Sequence, residues 1–193
     1  EIKISIDSEF WANKLHKMKM EGRKERVVAS VTIDGVEVPQ IGVRYKGNSS
    51  YYSTHKSGKS KLPFNLKSDY QIDDQAFPGG FGTIKLSNVF RDPSFVREAL
   101  SYEIARDYMP ASRCNFAKVY VNDEYVGLYN NSESVDREFL SRAFGDKGKD
   151  TFIKCDPEWD NLPPTTCMKG DKASLMYLGD EPECYDGRYE LKK

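Results

Sequence analysis

The segment RYKGNSS, residues 44–50, has the residue types best suited to hold an oxyanion. It follows a strand-like run and combines two cations, a flexible glycine and three small polar side chains. Exposed backbone N–H groups and hydroxyls in such a turn approach phosphate oxygens closely, and the cations offset the phosphate charge. The pattern predicts a phosphate site, with an ordinary surface turn as the alternative. Its candidate ligands are Arg44, Lys46, Asn48, Ser49 and Ser50.

Lys61 is a further candidate phosphate ligand, because it opens the strand-like run KLPFNLK. A lysine projecting from a strand near a phosphate loop can pair with nucleotide phosphates, and a helix carboxylate then orients it. Glu98, in a later helix-like segment, is the candidate carboxylate, and Arg97 is a second charged group beside it. The alternative for Lys61 is a solvent-facing side chain on an edge strand, which Pro63 would favour.

Most familiar catalytic signatures are missing from the sequence. It contains no GxSxG, HExxH, Walker A or Rossmann GxGxxG motif. The two histidines, His16 and His55, stand in weak contexts, so we expect them at the surface rather than in acid–base catalysis. Oxygen ligands for a hard cation are present at Asp156, Asp160 and Asn161, with a metal-free acidic loop as the alternative.

Charge and hydropathy argue against nucleic-acid binding and against a membrane-spanning helix. The formal net charge is -1, which argues against a general polyanion binder, although basic and aromatic residues interleave across 43–61. No apolar run approaches the roughly 20 residues of a membrane helix. We therefore expect no nucleic-acid partner and no membrane segment.

The spacing of the four cysteines indicates the cellular compartment in which the protein works. No pair has CxxC spacing, so a zinc site is not predicted. Cys155, Cys167 and Cys184 fall in a loop-rich stretch, where disulfides commonly restrain weakly cored segments. We predict at least one disulfide among these three and an extracytoplasmic location, that is secreted, cell-surface or spore-associated. Four buried thiols in a cytosolic protein are the alternative, with Cys114 as the fourth.

Apolar periodicity and turn residues outline the elements that would position these side chains. Asp34-Gly35 separates two strand-like runs and is a strong hairpin signal, because type I′ turns need positive φ. Asp92 and Pro93 have the residue types of a helix start, and Val96, Leu100 and Ile104 form one apolar stripe. The predicted helices are 8–20, 93–108 and 136–144, and the predicted strands are 27–34, 36–46, 61–67, 83–89, 116–121, 125–130 and TFIKC.

This order predicts an α+β fold in which one long helix, 93–108, packs across an antiparallel β-sheet. Strands 61–67 and 83–89 should extend the sheet that the 27–46 hairpin begins. A loop-rich extension would follow from about residue 146, where apolar periodicity fades. The opening Glu1, in place of methionine, and the end right after a strand-like YELKK suggest a piece of something longer.

Four segments together resemble the CotH family of bacterial spore-coat kinases. They occur in the family's order and cover most of residues 43–140. Their sequences are VRYKGNSS (43–50), KLPFNLK (61–67), KLSNVFRDPSFVREALSYEIARDY (85–108) and VYVNDEYVGLYNNSESVDREFL (119–140).

The resemblance implies a fold similar to the N-lobe of eukaryotic protein kinases over residues 1–145, followed by the start of a second lobe over 146–193. Helix 93–108 would replace the kinase helix that positions the strand lysine, and Glu133 would lie toward the hinge between lobes. The implied activity is ATP-dependent phosphorylation of protein serine or threonine by the full-length protein. The implied cofactors are ATP and magnesium, and the implied partner is a protein substrate.

One departure limits this expectation. The catalytic and magnesium-binding Asp and Asn residues of the family lie in a later segment with a Trp-Asp-rich signature, and we find no counterpart here. We therefore expect no catalysis by this part alone, and no catalytic residue in it. A non-catalytic coat or cell-surface scaffold is the main rival. A carbohydrate-binding domain is the third possibility, suggested by tyrosines at 51, 52, 70, 120, 125 and 129.

Overall fold

The computed structural model describes residues 1–145, 152–155 and 189–192. The chain divides into two compact units, Glu1–Phe144 and Gly145–Lys193. In the second unit, the strands Phe152–Cys155 and Tyr189–Lys192 pair antiparallel, which confirms the predicted TFIKC strand. The predicted disulfide among Cys155, Cys167 and Cys184 depends on side chains outside the described residues, as do the oxygen ligands at 156, 160 and 161.

The first unit contains seven strands and four short helices among its described residues. The strands are β1 (Ile2–Ser5), β2 (Val27–Ile33), β3 (Val36–Tyr45), β4 (Phe64–Lys67), β5 (Thr83–Ser87), β6 (Cys114–Val121) and β7 (Glu124–Glu133). The helices are α1 (Trp11–Met20), α2 (Ser49–Lys56), α3 (Arg97–Arg106) and α4 (Arg137–Phe144). None of these helices is long and apolar enough to cross a membrane.

The seven strands form a closed barrel in the order β1-β2-β3-β4-β5-β7-β6. Neighbours pair antiparallel except β1 and β6, which are parallel and close the barrel. The expectation of an open antiparallel sheet with one long packed helix is therefore wrong. The sequence argument missed β1, whose four residues carry little local signal, and the β1–β6 pairing that removes the sheet edges.

Alternating residues fill the barrel interior. On β5, Ile84 and Leu86 are buried, while Lys85 and Ser87 at the alternate positions face outward, as strand alternation requires. Phe64 and Tyr129 are among the largest fully buried side chains, and their ring centroids lie 6.1 Å apart. The Tyr129 hydroxyl donates to the carbonyl of Leu62 at 2.9 Å, so its polar atom is satisfied inside the core.

The hairpin predicted at Asp34-Gly35 is confirmed, and the predicted strands 116–121 and 125–130 form a second one. Asp34 and Gly35 have φ of 46° and 90°, the left-handed pair that a tight turn between β2 and β3 requires. Asn122 and Asp123, with φ of 49° and 65°, connect β6 to β7 in the same way.

The helix predicted at 93–108 is shorter than expected, and its apolar side faces solvent rather than the sheet. Phe95 has φ of 66°, which no right-handed helix allows, and α3 begins only at Arg97. Asp92 nevertheless accepts the backbone N–H of Arg97 at 2.9 Å. The predicted apolar stripe is exposed, since Leu100 is 50% and Ile104 52% accessible. The half-buried residues of α3 are instead Glu98, Ala99, Tyr102 and Ala105.

Two further boundaries differ from the prediction. Strand β4 starts at Phe64, so Lys61 lies in the connection before it rather than opening it. Residues 49–56 fold as α2, which includes the last two residues of the predicted phosphate turn and buries Tyr51 against the barrel. Apolar burial of Tyr51 and Thr54 accounts for a helix where the polar residues alone indicated a turn.

Candidate functional site

The carboxylate of Glu98 joins α3 to the outer face of the barrel. Its Oε1 accepts from the Ser132 hydroxyl at 2.6 Å and from the Ser87 hydroxyl at 3.4 Å, while Oε2 accepts from Asn130 Nδ2 at 3.4 Å. Ser87 and Asn130 are paired across β5 and β7, so this part of the sheet presents both side chains on one face. Glu98 is thus held by three donors from two neighbouring strands.

Lys46, just after β3, reaches the same network. Its Nζ donates to Ser87 Oγ at 2.9 Å, and Ser87 in turn donates to Glu98. Burial lowers the pKa of Lys46, and the negative charge of Glu98 opposes that shift. A serine hydroxyl therefore connects the lysine to the helix glutamate.

A cavity of about 450 Å³ opens beside this network. Ser87, Glu98 and Asn130 line it, together with Ser50 and Arg97. Asn130 is 1% exposed, and among the described residues its Oδ1 has no hydrogen-bond partner. The bond from Nδ2 to Glu98 fixes the amide orientation, so a buried acceptor is left for a ligand donor or a water.

The loop between β5 and α3 forms one wall of the cavity. Val89 and Arg91 in this loop have φ of 57° and 59°, a left-handed conformation that is costly for a β-branched valine. Asn88 Nδ2 anchors the loop, since it lies 3.0 to 3.2 Å from Lys61 O, Ser50 O and Thr54 Oγ1. One buried amide therefore ties the loop to α2 and to the segment before β4.

The five candidate ligands of residues 44–50 separate in space. Lys46 joins the Glu98 network, and Ser50 lines the cavity. Asn48 and Ser49 are exposed at the start of α2. The Arg44 side chain points away from the Glu98 network. Its Nη1 donates at 3.4 Å to the carbonyl of Lys24, which lies shortly before β2.

The two charged residues at the start of α3 have different surroundings. Arg97 is exposed and pairs with Asp92 at 3.5 Å while lining the cavity. Glu98, one residue later, is half-buried and points to the barrel. Arg97 is therefore an exposed, ion-paired cation at the cavity rim, whereas Glu98 is held by its strand partners.

Lys61 contacts aromatic rings rather than the Glu98 network. Its Nζ lies 4.7 Å from the Phe95 ring centre and 5.1 Å from that of Tyr129, and its aliphatic stem covers Gly127. A Cβ at Gly127 would come within 3.0 Å of that stem. Burial lowers the pKa of Lys61. Lys46, not Lys61, is the lysine connected to Glu98, while the nucleotide role of Lys61 stays a prediction.

Glu133 anchors α4 to the end of β7. Its carboxylate binds Arg142 at 2.6 Å and accepts the backbone N–H of Arg113 at 2.9 Å. Burial opposes ionisation of Glu133, but these hydrogen bonds outweigh it, so its pKa lies below the usual range. Both carboxylate oxygens are engaged by protein groups, which makes Glu133 a structural contact in this unit.

Sequence reasoning missed the small polar residues that hold Glu98. Ser87, Asn130 and Ser132 carry no familiar motif, and their only signal is a polar residue at every second position of a strand. Of the tyrosines proposed for carbohydrate binding, Tyr51 and Tyr129 are fully buried and offer no sugar platform.

A lysine near a strand end, joined to a glutamate of a helix packed on the sheet, is an arrangement that protein kinases use to position nucleotide phosphates. In agreement with this, the family model described as CotH kinase protein matches residues 43–193. The chain belongs to this kinase-like family. No curated protein matches the chain.

Proposed function

We propose that this chain supplies the nucleotide-binding part of a CotH-type protein kinase, which transfers phosphate from ATP to serine or threonine of a protein substrate. The observation that carries the proposal is the Lys46–Ser87–Glu98 connection beside a cavity with an unpaired buried acceptor. The cavity volume falls within the range of ordinary ligand sites.

The residues around the cavity fit a triphosphate better than a neutral ligand. Arg97 at the rim would contact phosphate oxygens. Lys46 does not itself line the cavity, but its Nζ donates to Ser87, which does, so it would add a second cation beside the phosphates. The Asn130 carbonyl would accept a ligand N–H or hydroxyl, since its amide nitrogen is already committed to Glu98. Glu98 orients the lysine through Ser87 without itself needing to touch the nucleotide.

The residues around the cavity fit a magnesium ion less well than they fit phosphate. Among the described residues, no group of three His, Cys, Asp or Glu side chains is arranged to hold a metal ion. Asp92, which lines the cavity, is already engaged by Ser94 and Arg97. Any metal in the whole kinase would need further ligands. The contribution of these residues to phosphoryl transfer would therefore be to position the phosphates.

The test compares three lysine variants in ATP binding, measured by calorimetry with magnesium present. Loss of one charge-assisted hydrogen bond to phosphate costs about 1.5–3 kcal/mol, so Lys46→Met should weaken binding at least about tenfold. Lys118→Met is the matched control, since Lys118 is exposed on the outer face of β6. Lys61→Met shows whether the second candidate lysine also contributes.

The same variants should be assayed for transfer of labelled phosphate from ATP to a protein acceptor by the full-length kinase. Unchanged binding and transfer in Lys46→Met would mean that the phosphate site is misplaced. No transfer by the intact protein with any acceptor or metal would favour a scaffold role at the coat or cell surface. The extracytoplasmic location belongs to the same proposal, and a disulfide found by mass spectrometry among Cys155, Cys167 and Cys184 would support it.

A further inference from the structure

Three cations lie together on the outer face of the barrel where α1 packs on β3. They are Lys19 of α1, Arg26 just before β2, and Arg44 of β3, called here the cation cluster. Arg44 is the shared neighbour of the other two. Its partner in the β3–β4 pairing is Asn65, whose Oδ1 accepts from Arg26. Its own Nη1 donates to Lys24 O, and the N–H of the preceding residue, Arg23, donates to Met18 O beside Lys19. The positive charge of Arg44 acts on both other members. The cluster is separate from the Glu98 network, because Arg44 leans toward β2 while Lys46 reaches across to β5.

Among the described residues, no carboxylate lies within ion-pair distance of any member of the cation cluster. Asp69, the carboxylate that acts on Arg26 from a distance, pairs with Lys67 at 3.4 Å. Burial lowers the pKa of Lys19 and brings that of Arg26 to about 10, and repulsion from Arg44 adds to both shifts. Among the described residues, these three half-buried positive charges therefore have no direct ion-pair partner.

The members differ in how many donors they have left. Arg26 uses three of its five N–H donors, donating to Gly42 O at 3.2 Å, to Asn65 O at 2.9 Å and to Asn65 Oδ1. Arg44 donates one bond only, to Lys24 O. Because a guanidinium has five N–H donors, most of those of Arg44 remain for a ligand.

Lys19 has no hydrogen-bond acceptor among the described residues. Its Nζ lies 5.6 Å from the ring centres of both Tyr51 and Tyr52, which hold the ammonium by cation–π attraction on one side. Its three N–H donors are thus available beside those of Arg44.

We propose that Lys19 and Arg44 bind a phosphate-type oxyanion, with Arg26 providing positive charge behind them. A phosphate carries up to two negative charges and several acceptor oxygens, so one group can bridge an ammonium and a guanidinium. Carboxylates and neutral ligands would leave part of the positive charge uncompensated. The phosphate could be free or carried on a protein as phosphoserine, and the site is distinct from the nucleotide cavity.

The test uses inorganic phosphate as the probe and the whole chain as the sample. All variants carry Lys46→Met, so that phosphate binding at the nucleotide site does not contribute. Binding is followed by thermal shift and calorimetry at constant ionic strength, with chloride as the reference salt. We expect phosphate to raise the melting temperature of the Lys46→Met protein, and Arg44→Gln or Lys19→Gln to weaken phosphate binding at least about tenfold.

Lys17→Gln is the matched control, because Lys17 lies on the same helix but is exposed and paired with Glu21. It should bind phosphate as the Lys46→Met parent does. Arg44→Lys keeps the charge and should weaken binding less than Arg44→Gln, which separates charge from loss of fold. A phosphoserine peptide that binds more tightly than phosphate would identify a protein-borne phosphate, and equal affinity would identify free phosphate.

Two results would overturn the proposal. The first is no phosphate response in the Lys46→Met parent, which would assign any wild-type response to the nucleotide cavity. The second is an equal response in the Arg44→Gln, Lys19→Gln and Lys17→Gln variants, which would mean general screening of surface charge. Neither result bears on ATP binding by Lys46, so failure here leaves the kinase proposal to its own test.

Discussion

Helices α1 and α3 attach to the same barrel by opposite kinds of contact. Helix α1 buries Leu15 and Met18 in the core cluster, and its Trp11 ring lies 6.3 Å from Phe64. Helix α3 has no buried residue and is held by polar bonds, chiefly those of Glu98. Apolar burial is strong and non-directional, whereas hydrogen bonds fix one orientation at modest net energy. The comparison indicates that α1 supports the fold and α3 supports the site.

The strongest test of this difference between the helices is to shorten Leu15, the main apolar contact of α1. Leu15→Ala should destabilise the protein by about 2–5 kcal/mol, because Leu15 is 1% exposed and its removal leaves a cavity. Urea unfolding followed by circular dichroism measures the loss. Leu100→Ala makes the same chemical change on the exposed face of α3 and should shift stability by no more than about 0.5 kcal/mol. Equal losses in both variants would refute the distinction between the helices.

A second change addresses the polar attachment of α3. Ser132→Ala removes the 2.6 Å hydrogen bond to Glu98, and bonds to charged groups contribute about 1.5–3 kcal/mol. We expect faster amide hydrogen exchange in residues 97–106 than in α1, since α3 loses part of its attachment while the core stays intact. Ser101→Ala, on the exposed side of α3, is the control. Uniform exchange across both helices would show that Glu98 does not hold α3.

The smallest expected effect concerns pH at the contact between α1 and α2. The His16 and His55 rings lie 4.0 Å apart, and His16 Nδ1 is 2.5 Å from the Tyr51 hydroxyl. Burial lowers the pKa of His16, and the charge of His55 adds to this, so the folded protein favours neutral His16. This contribution to stability is complete above the unfolded pKa of about 6.5 and is lost as the pH falls through the lower folded value.

Thermal unfolding between pH 8 and pH 5 measures that contribution. The melting temperature should fall on acidification, and His16→Gln should reduce the slope below pH 6.5. An identical pH profile in His16→Gln would assign the slope to other groups.

The local parts of the fold could be predicted from the sequence. Turn chemistry located Asp34-Gly35, and alternation located β2, β3 and β5, because these signals act between near neighbours. The barrel closure could not be predicted, since pairing of β1 with β6 depends on residues far apart in sequence. Helix α3 was misread because its apolar stripe suggested burial, whereas Glu98 and its strand partners decide which side faces the barrel.

The candidate site could likewise be predicted only in part. Lys46 and Glu98 were both named as candidates from residue type, but Glu98 was expected to orient Lys61, whereas the structure connects it to Lys46 through Ser87. Ser87, which connects them, has no sequence signal beyond its position on a strand. Its place in the network arises from the register between β5 and β7, which a single sequence does not reveal.

The parallel pairing of β1 with β6 also sets an order on folding during synthesis. Ile2 pairs with Val119, so β1 waits for a partner that emerges about 115 residues later. At about 5–20 residues per second, the ribosome needs roughly 6–25 s to supply it. Throughout that interval β1 and β2 can pair as a ribbon, while the other edge of β1 stays open to neighbouring chains. The contact that removes this edge becomes available only after β6 has been synthesised, which makes barrel closure a late and vulnerable step.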